Sequence, residues 1–211
     1  MSRDHILHRV RTALGRSAGQ EPALPPAVRL RVPEVPVEAR IASFIARLEN
    51  LAGKAQRVAT PAAARDLVAA AIDGKTAVAS NSPYLEECGI TSLRGVRSGI
   101  RDVRELRDAC EKAGAGITSA DYALSDTGTL VMIASPSEAR LVSLLPPVHI
   151  AVVPCNRILT GLDELFTILP HPADQTSSMV LITGPSRTAD IEQILVRGVH
   201  GPGQISVLLV G

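Results

Sequence analysis

The sequence predicts an α/β domain of three layers, in which a mixed, mostly parallel sheet is flanked by helices. Three observations carry that prediction. Segments with the 3.6-residue apolar period of helices alternate with short apolar runs typical of buried strands. Aromatic residues make up 2% of the 211 residues and Trp is absent, so the core must come from Val, Leu, Ile and Ala, as in strands covered on both faces. Finally, the apolar run 179–183 stops at Gly184-Pro185. It continues through Ser186, Arg187 and Thr188 toward a segment of helical composition, Ala189 to Leu195. That pattern reads as a strand entering a helix through a tight loop at the carboxyl edge of a parallel sheet.

The elements follow in order. Residues 3–14 form an amphipathic helix with Ile6, Leu7, Val10 and Leu14 on one face. Five prolines between Gly15 and Pro36 exclude a regular helix there. Residues 1–36 are therefore a helix plus a proline-rich connector, and 37–211 a single domain.

Ile41, Phe44, Ile45, Leu48 and Leu51 mark the next helix, 55–59 a strand, and Pro61 the first turn of a helix reaching Ile72. A strand over 76–80 ends at Asn81-Ser82-Pro83, and a brief helix covers 84–88. A further helix presents Val103, Leu106, Cys110 and Ala113 inward and closes at Gly114. Two apolar runs, 117–124 and 129–134, flank Asp126-Thr127-Gly128 as a hairpin and make the sheet mixed. Strand 148–153, helix 158–169, strand 179–183 and strand 205–210 complete the chain.

Charge and composition exclude several classes. With 22 basic and 21 acidic residues the net charge is +1, so no nucleic-acid partner is expected. No apolar run approaches the roughly 20 residues of a spanning helix, and the N-terminus lacks a secretory apolar core. The expected location is the cytoplasm. Cys88, Cys110 and Cys155 are sparse and widely spaced, so neither a metal site nor a cluster is expected. No G-x-G-x-x-G or P-loop occurs, and no cofactor is expected.

Two constellations carry candidate chemistry. In the first, Thr183, Gly184, Ser186, Arg187 and Thr188 offer donors to a small anionic metabolite, a carboxylate or a phosphate. Helix initiation by the same hydroxyls, with Asp190 and Glu192 in the first turn, is the structural alternative. In the second, Asp121 and Asp126 stand beside Thr127, Gly128 and Thr129 as carboxylates for proton transfer, although Asp-Thr-Gly also suits a turn for backbone reasons alone. His200 is a third acid–base candidate. His149 and a small buried Cys155 read more simply as structural.

The motifs Ala120-Asp121-Tyr122-Ala123-Leu124-Ser125-Asp126-Thr127-Gly128-Thr129, Leu145-Pro146-Pro147-Val148-His149, Thr183-Gly184-Pro185-Ser186-Arg187-Thr188-Ala189-Asp190 and Gly198-Val199-His200-Gly201-Pro202, in this order, resemble the LUD-domain family. Within it they resemble the lactate utilization protein C (LutC/YkgG) group. The resemblance covers residues 40–211 and departs at Asp126, where the family pattern has glutamate. It implies a fold similar to glucosamine-6-phosphate deaminase, ribose-5-phosphate isomerase and CoA transferases. It also implies a part in oxidising L-lactate to pyruvate beside iron–sulfur partner proteins, with this chain as the component without a cluster. Arg187 would then hold a carboxylate, aided by Ser186 and Thr188. The alternatives are a stand-alone enzyme on a phosphosugar or acyl-CoA, and a ligand-binding or scaffold protein without catalysis.

Overall fold

The computed structural model describes residues 2–21, 32–188 and 196–211. The chain divides into two compact units, Met1–Leu30 and Arg31–Gly211. In the first, helix α1 (Arg3–Ala13) is capped by Ser2, whose Oγ accepts from the His5 N–H. Its Ile6 and Val10 are exposed. The helix expected over Ala189–Leu195, with Asp190 and Glu192, lies outside the described residues, as do residues 22–31 of the connector.

The second unit begins with α2 (Val37–Asn50), β1 (Lys54–Val58), α3 (Pro61–Ile72), β2 (Ala77–Ala79), α4 (Pro83–Glu87) and β3 (Val96–Arg97). It continues with α5 (Val103–Lys112), β4 (Ala115–Thr118), β5 (Tyr122–Leu124), β6 (Thr129–Ile133), α6 (Arg140–Leu144) and β7 (Val148–Pro154). It ends with β8 (Ile158–Leu159), α7 (Leu162–Ile168), β9 (Met179–Ile182), β10 (Arg187–Thr188), β11 (Val196–Arg197) and β12 (Gln204–Val210). Local chemistry sets several boundaries. Thr60 accepts from the Ala63 N–H ahead of Pro61 to start α3. Asp102 accepts from the Arg104 and Glu105 N–H groups to start α5.

Six strands form a sheet in the order β1-β12-β7-β4-β2-β3, with every pairing parallel. The two-residue period of a strand divides its apolar side chains between two faces. Ile150, Val152, Leu208 and Val210 meet α3 and α4 on one face. Ala151, Val153, Val207 and Leu209 meet Ile41, Phe44 and Leu48 of α2 on the other, together with Ala123, Leu130 and Met132 of a second sheet. That second sheet has the order β8-β5-β6-β9 and is mixed. Its far side is covered by Leu165 and Leu169. The α/β class and the mostly parallel sheet thus match expectation, while the hairpin separates into a sheet of its own.

Four local expectations change. The run 117–124 breaks at Ser119–Asp121, because β4 belongs to the parallel sheet and β5 to the second one. Segment 158–169 is not one helix: Ile158 and Leu159 pair with Ala123 and Leu124, and α7 begins only after Gly161. A Cβ at Gly161 would sit 2.5 Å from Asp126 Oδ2. Val103 is not on the inner face of its helix but 77% exposed, since the space beside it is an open cavity. Strand β9 lies antiparallel to β6 in the second sheet, so it does not open at the carboxyl edge of the parallel one.

Candidate functional site at the carboxyl edge of the parallel sheet

The carboxyl ends of β2 and β4 run into Ser80-Asn81 and Ser119-Ala120-Asp121. The loop from β6 to α6, Ser135–Ala139, lies across both ends, with Asn81 N–H donating to the Ser137 carbonyl at 2.8 Å. This loop delivers Glu138, which is 7% exposed. Its Oε1 accepts from Ser80 Oγ at 2.7 Å and from the Ser119 N–H at 3.0 Å. Among the described residues, its Oε2 has no hydrogen-bond partner, and neither does Ser119 Oγ. Burial pushes the Glu138 carboxyl up to about 7; the Ser80 and Ser119 bonds oppose this and the nearby Asp121 charge adds to it.

Asp121, expected as a proton-transfer group, therefore belongs to this cluster. Its Oδ2 accepts from the Ile133 N–H at 2.7 Å and its own N–H donates to the Val131 carbonyl, which ties the start of β5 to β6. Burial raises its pKa, against the Ile133 bond and the charge of Arg157. Sequence reasoning missed Glu138. Its signal was Ser135-Pro136-Ser137-Glu138 after an apolar strand, which reads as a capping box. Ser135 Oγ does accept from the Glu138 N–H, at 3.0 Å, but the carboxylate turns to Ser80 and Ser119 across the chain.

A cavity of about 580 Å³ opens beside this cluster. Ser80, Ser135, Ser137 and Arg101 give it polar atoms, and Ile100, Val103, Leu106 and Val142 give it apolar walls. Arg101 is the one charged residue among the described residues lining it. Asn81 holds the entry loop, donating to the Ile100 carbonyl at 2.9 Å and accepting from the Gly99 N–H at 2.8 Å.

The remaining expected site residues lie elsewhere. Asp126, Thr127, Gly128 and Thr129 turn the hairpin at the far end of β5 from Asp121. Gly128 has φ +68°, and a Cβ there would sit 2.6 Å from the Leu48 nitrogen, so the turn rests on the backbone of α2. Thr129 Oγ1 bonds Thr127 Oγ1 and Thr183 Oγ1, each at 2.8 Å. Gly184 lies against Leu51, and Arg187 Nη2 donates to the Leu51 carbonyl. The guanidinium thus serves the negative end of α2, a structural use of a residue expected to hold a carboxylate. Arg187→Ala is expected to cost about 1 kcal/mol of stability, read from a urea midpoint.

Ser186 and Thr188 are held in the same region. Ser186 N–H donates to the Pro202 carbonyl at 2.9 Å, and Thr188 pairs with Val196 in the β10–β11 ribbon. His200 is exposed in the turn that enters β12, where Gly203 N–H meets the Pro147 carbonyl. This is the amino edge of β7 and β12. Asp121, at the carboxyl ends of the strands, and His200, at their amino ends, therefore lie apart, while Asp126 sits in the hairpin turn beside Gly161.

The cysteines are free and buried, each in a different apolar cluster. Burial raises the Cys155 thiol, and its Sγ donates to the Gly211 carbonyl at 3.3 Å. That environment keeps it an inert thiol. No helix of the described residues is long and apolar enough to cross a membrane.

A family model described as LUD domain matches residues 41–210. "Lactate utilization protein C" of Halalkalibacterium halodurans is 36% identical over 138 residues, 62% of this chain and 60% of the relative. The protein of that name from Anoxybacillus flavithermus is 33% identical over 147 residues, 68% of this chain and 66% of the relative. The matches thus span less than two thirds of these relatives' length. A DUF162 family protein from Deinococcus radiodurans, solved by crystallography, has a TM-score of 0.67 over 84% of this chain and 100% of its own, at 19% identity. That likeness is one of fold.

Proposed function

The chain belongs to the LUD-domain family, and from that premise we propose that it serves lactate utilization by binding a small 2-hydroxy carboxylate in the cavity beside Glu138. The names of its relatives support the metabolic role. The observation that carries the site is Ser80, which lines the cavity while its hydroxyl donates to the buried Glu138. Ser80 has one hydroxyl proton, and it is committed to Glu138. Toward the cavity the oxygen therefore offers lone pairs, and it accepts from the 2-hydroxyl of a hydroxy acid. A keto acid brings no donor to that position. Arg101 supplies the planar fork for the carboxylate.

In this reading the chain is the component without a cluster, and electrons from lactate pass to redox partner proteins with iron–sulfur centres. Its three cysteines, buried in separate parts of the core, suit that division of labour. Copurification with such partners is the expected sign.

Calorimetry with L-lactate and pyruvate tests the site. Lactate is expected to bind more tightly than pyruvate, and Ser80→Ala to erase the difference. Arg101→Ala is expected to weaken lactate at least about tenfold, or 1.4 kcal/mol. Wild-type affinity in Arg101→Ala would refute this placement of the site.

A further inference from the structure

Resting on that reading, the dimensions and walls of the cavity point further, to the size of the acid it takes. At about 580 Å³ it falls within the roughly 300–1,000 Å³ range of sites that bury drug-sized ligands. A water occupies about 30 Å³ of liquid, so the space corresponds to some twenty waters. Lactate, with six non-hydrogen atoms, displaces about four of them. Most of the cavity would stay filled with water against apolar walls, an unfavourable arrangement that added hydrocarbon would relieve.

The walls are arranged for such hydrocarbon. Val103 and Leu106 lie three residues apart on α5, and so share one helix face. Ile100 and Val142 complete an aliphatic surface with them. Val103 is 77% exposed, so protein atoms leave most of its side chain uncovered. Polar groups are few by comparison among the described residues: the serine hydroxyls, the Asn81 amide, which is already bonded to Ile100 and Gly99, and a single guanidinium. One positive charge balances one carboxylate, whereas a diphosphate or nucleotide would bring charge that these walls do not neutralise.

We propose that the cavity is built for 2-hydroxy acids carrying an alkyl chain of about eight carbons in all. The carboxylate lies at Arg101, the 2-hydroxyl at Ser80, and the chain along Ile100, Val103, Leu106 and Val142. Lactate is then the shortest member of the series it accepts.

The test is calorimetric titration of the full chain with L-lactate, 2-hydroxybutanoate, 2-hydroxyhexanoate and 2-hydroxyoctanoate. Each buried methylene is worth about a fourfold gain. The octanoate member carries five more than lactate and is expected to bind about 30-fold more tightly even if only half of them are covered. Val103→Asn, at an exposed position that does not threaten folding, is expected to lower the octanoate-to-lactate affinity ratio at least threefold. Wild-type affinities within threefold of each other across the series would overturn the chain-length inference and leave lactate binding at this site intact. A ratio unchanged in Val103→Asn would also overturn it. Failure of every member to bind would sink the inference together with the carboxylate reading beneath it.

Discussion

Exchanging Glu138 for glutamine is expected to make stability climb with pH relative to the wild type, by about 3 kcal/mol between pH 4.5 and 7. Two buried groups oppose each other in the wild type. Burial lifts the Glu138 carboxyl from 4.5 to about 7, and burial lowers His149 from 6.5 to about 4. Each pH unit between a folded and an unfolded pKa is worth about 1.4 kcal/mol. From pH 4.5 to 7 the unfolded chain has released the Glu138 proton while the folded chain holds it, so stability falls as pH rises. From pH 4 to 6.5 the unfolded chain takes up a proton on His149 that the folded chain refuses, so stability rises with pH. The two slopes, each about 3 kcal/mol in all, nearly cancel where they overlap.

Glu138→Gln leaves the histidine slope alone, and His149→Gln leaves the glutamate slope, a fall of about 3 kcal/mol from pH 4.5 to 7. Urea unfolding of the wild type and both variants at pH 4, 5, 6 and 7 reads these as differences, in which the other titrating groups drop out. Curves that stay parallel to the wild type would show that neither burial exerts this effect.

Gly116→Ala is expected to destabilise the fold by about 3 kcal/mol or more. Strand β4 lies between β7 and β2 in the parallel sheet, and α6 crosses directly over it. A Cβ at residue 116 would sit 1.8 Å from the Val142 carbonyl oxygen and 3.1 Å from Pro146 Cγ. The obstacle is backbone, so no rotamer change relieves it, and α6 would have to lift away. Gly116 is the register partner of His149, which is fully buried with Nε2 2.7 Å from Thr118 Oγ1. A lifted helix would admit water there. The variant should therefore show both a lower urea midpoint and a His149 titration moved back toward 6.5, followed by NMR of the ring protons. An unchanged midpoint would mean that α6 does not bear on β4 as tightly as the geometry requires.

Much of the architecture is legible from local chemistry. The stripe of Ile41, Phe44 and Leu48 announces α2, and Pro61 announces the start of α3. The apolar runs at 148–153 and 205–210 announce the two central strands. These signals are local, because a helix or a buried strand must repeat its apolar residues at its own period wherever it packs. The hairpin about Asp126-Thr127-Gly128 is legible for the same reason, since a turn needs particular backbone angles whatever surrounds it.

Placement of the site is another matter. Ser80, Ser119 and Glu138 are far apart in sequence and come together only because the loop after β6 crosses the ends of β2 and β4. Glu138 carries the local signature of a helix cap, and its partners are supplied by strands that precede it. Arg187 shows the converse: beside Ser and Thr it has the local signature of an anion site, yet the carbonyl end of α2 takes its guanidinium. By itself the sequence determined the α/β class, most of the elements and the family, since these rest on periodicity and on ordered motifs. Only the tertiary structure decided which carboxylate is buried, which arginine lines a cavity and at which edge of the sheet that cavity lies. Desolvation and hydrogen-bond partnership are properties of neighbours in space, and residue order does not contain them.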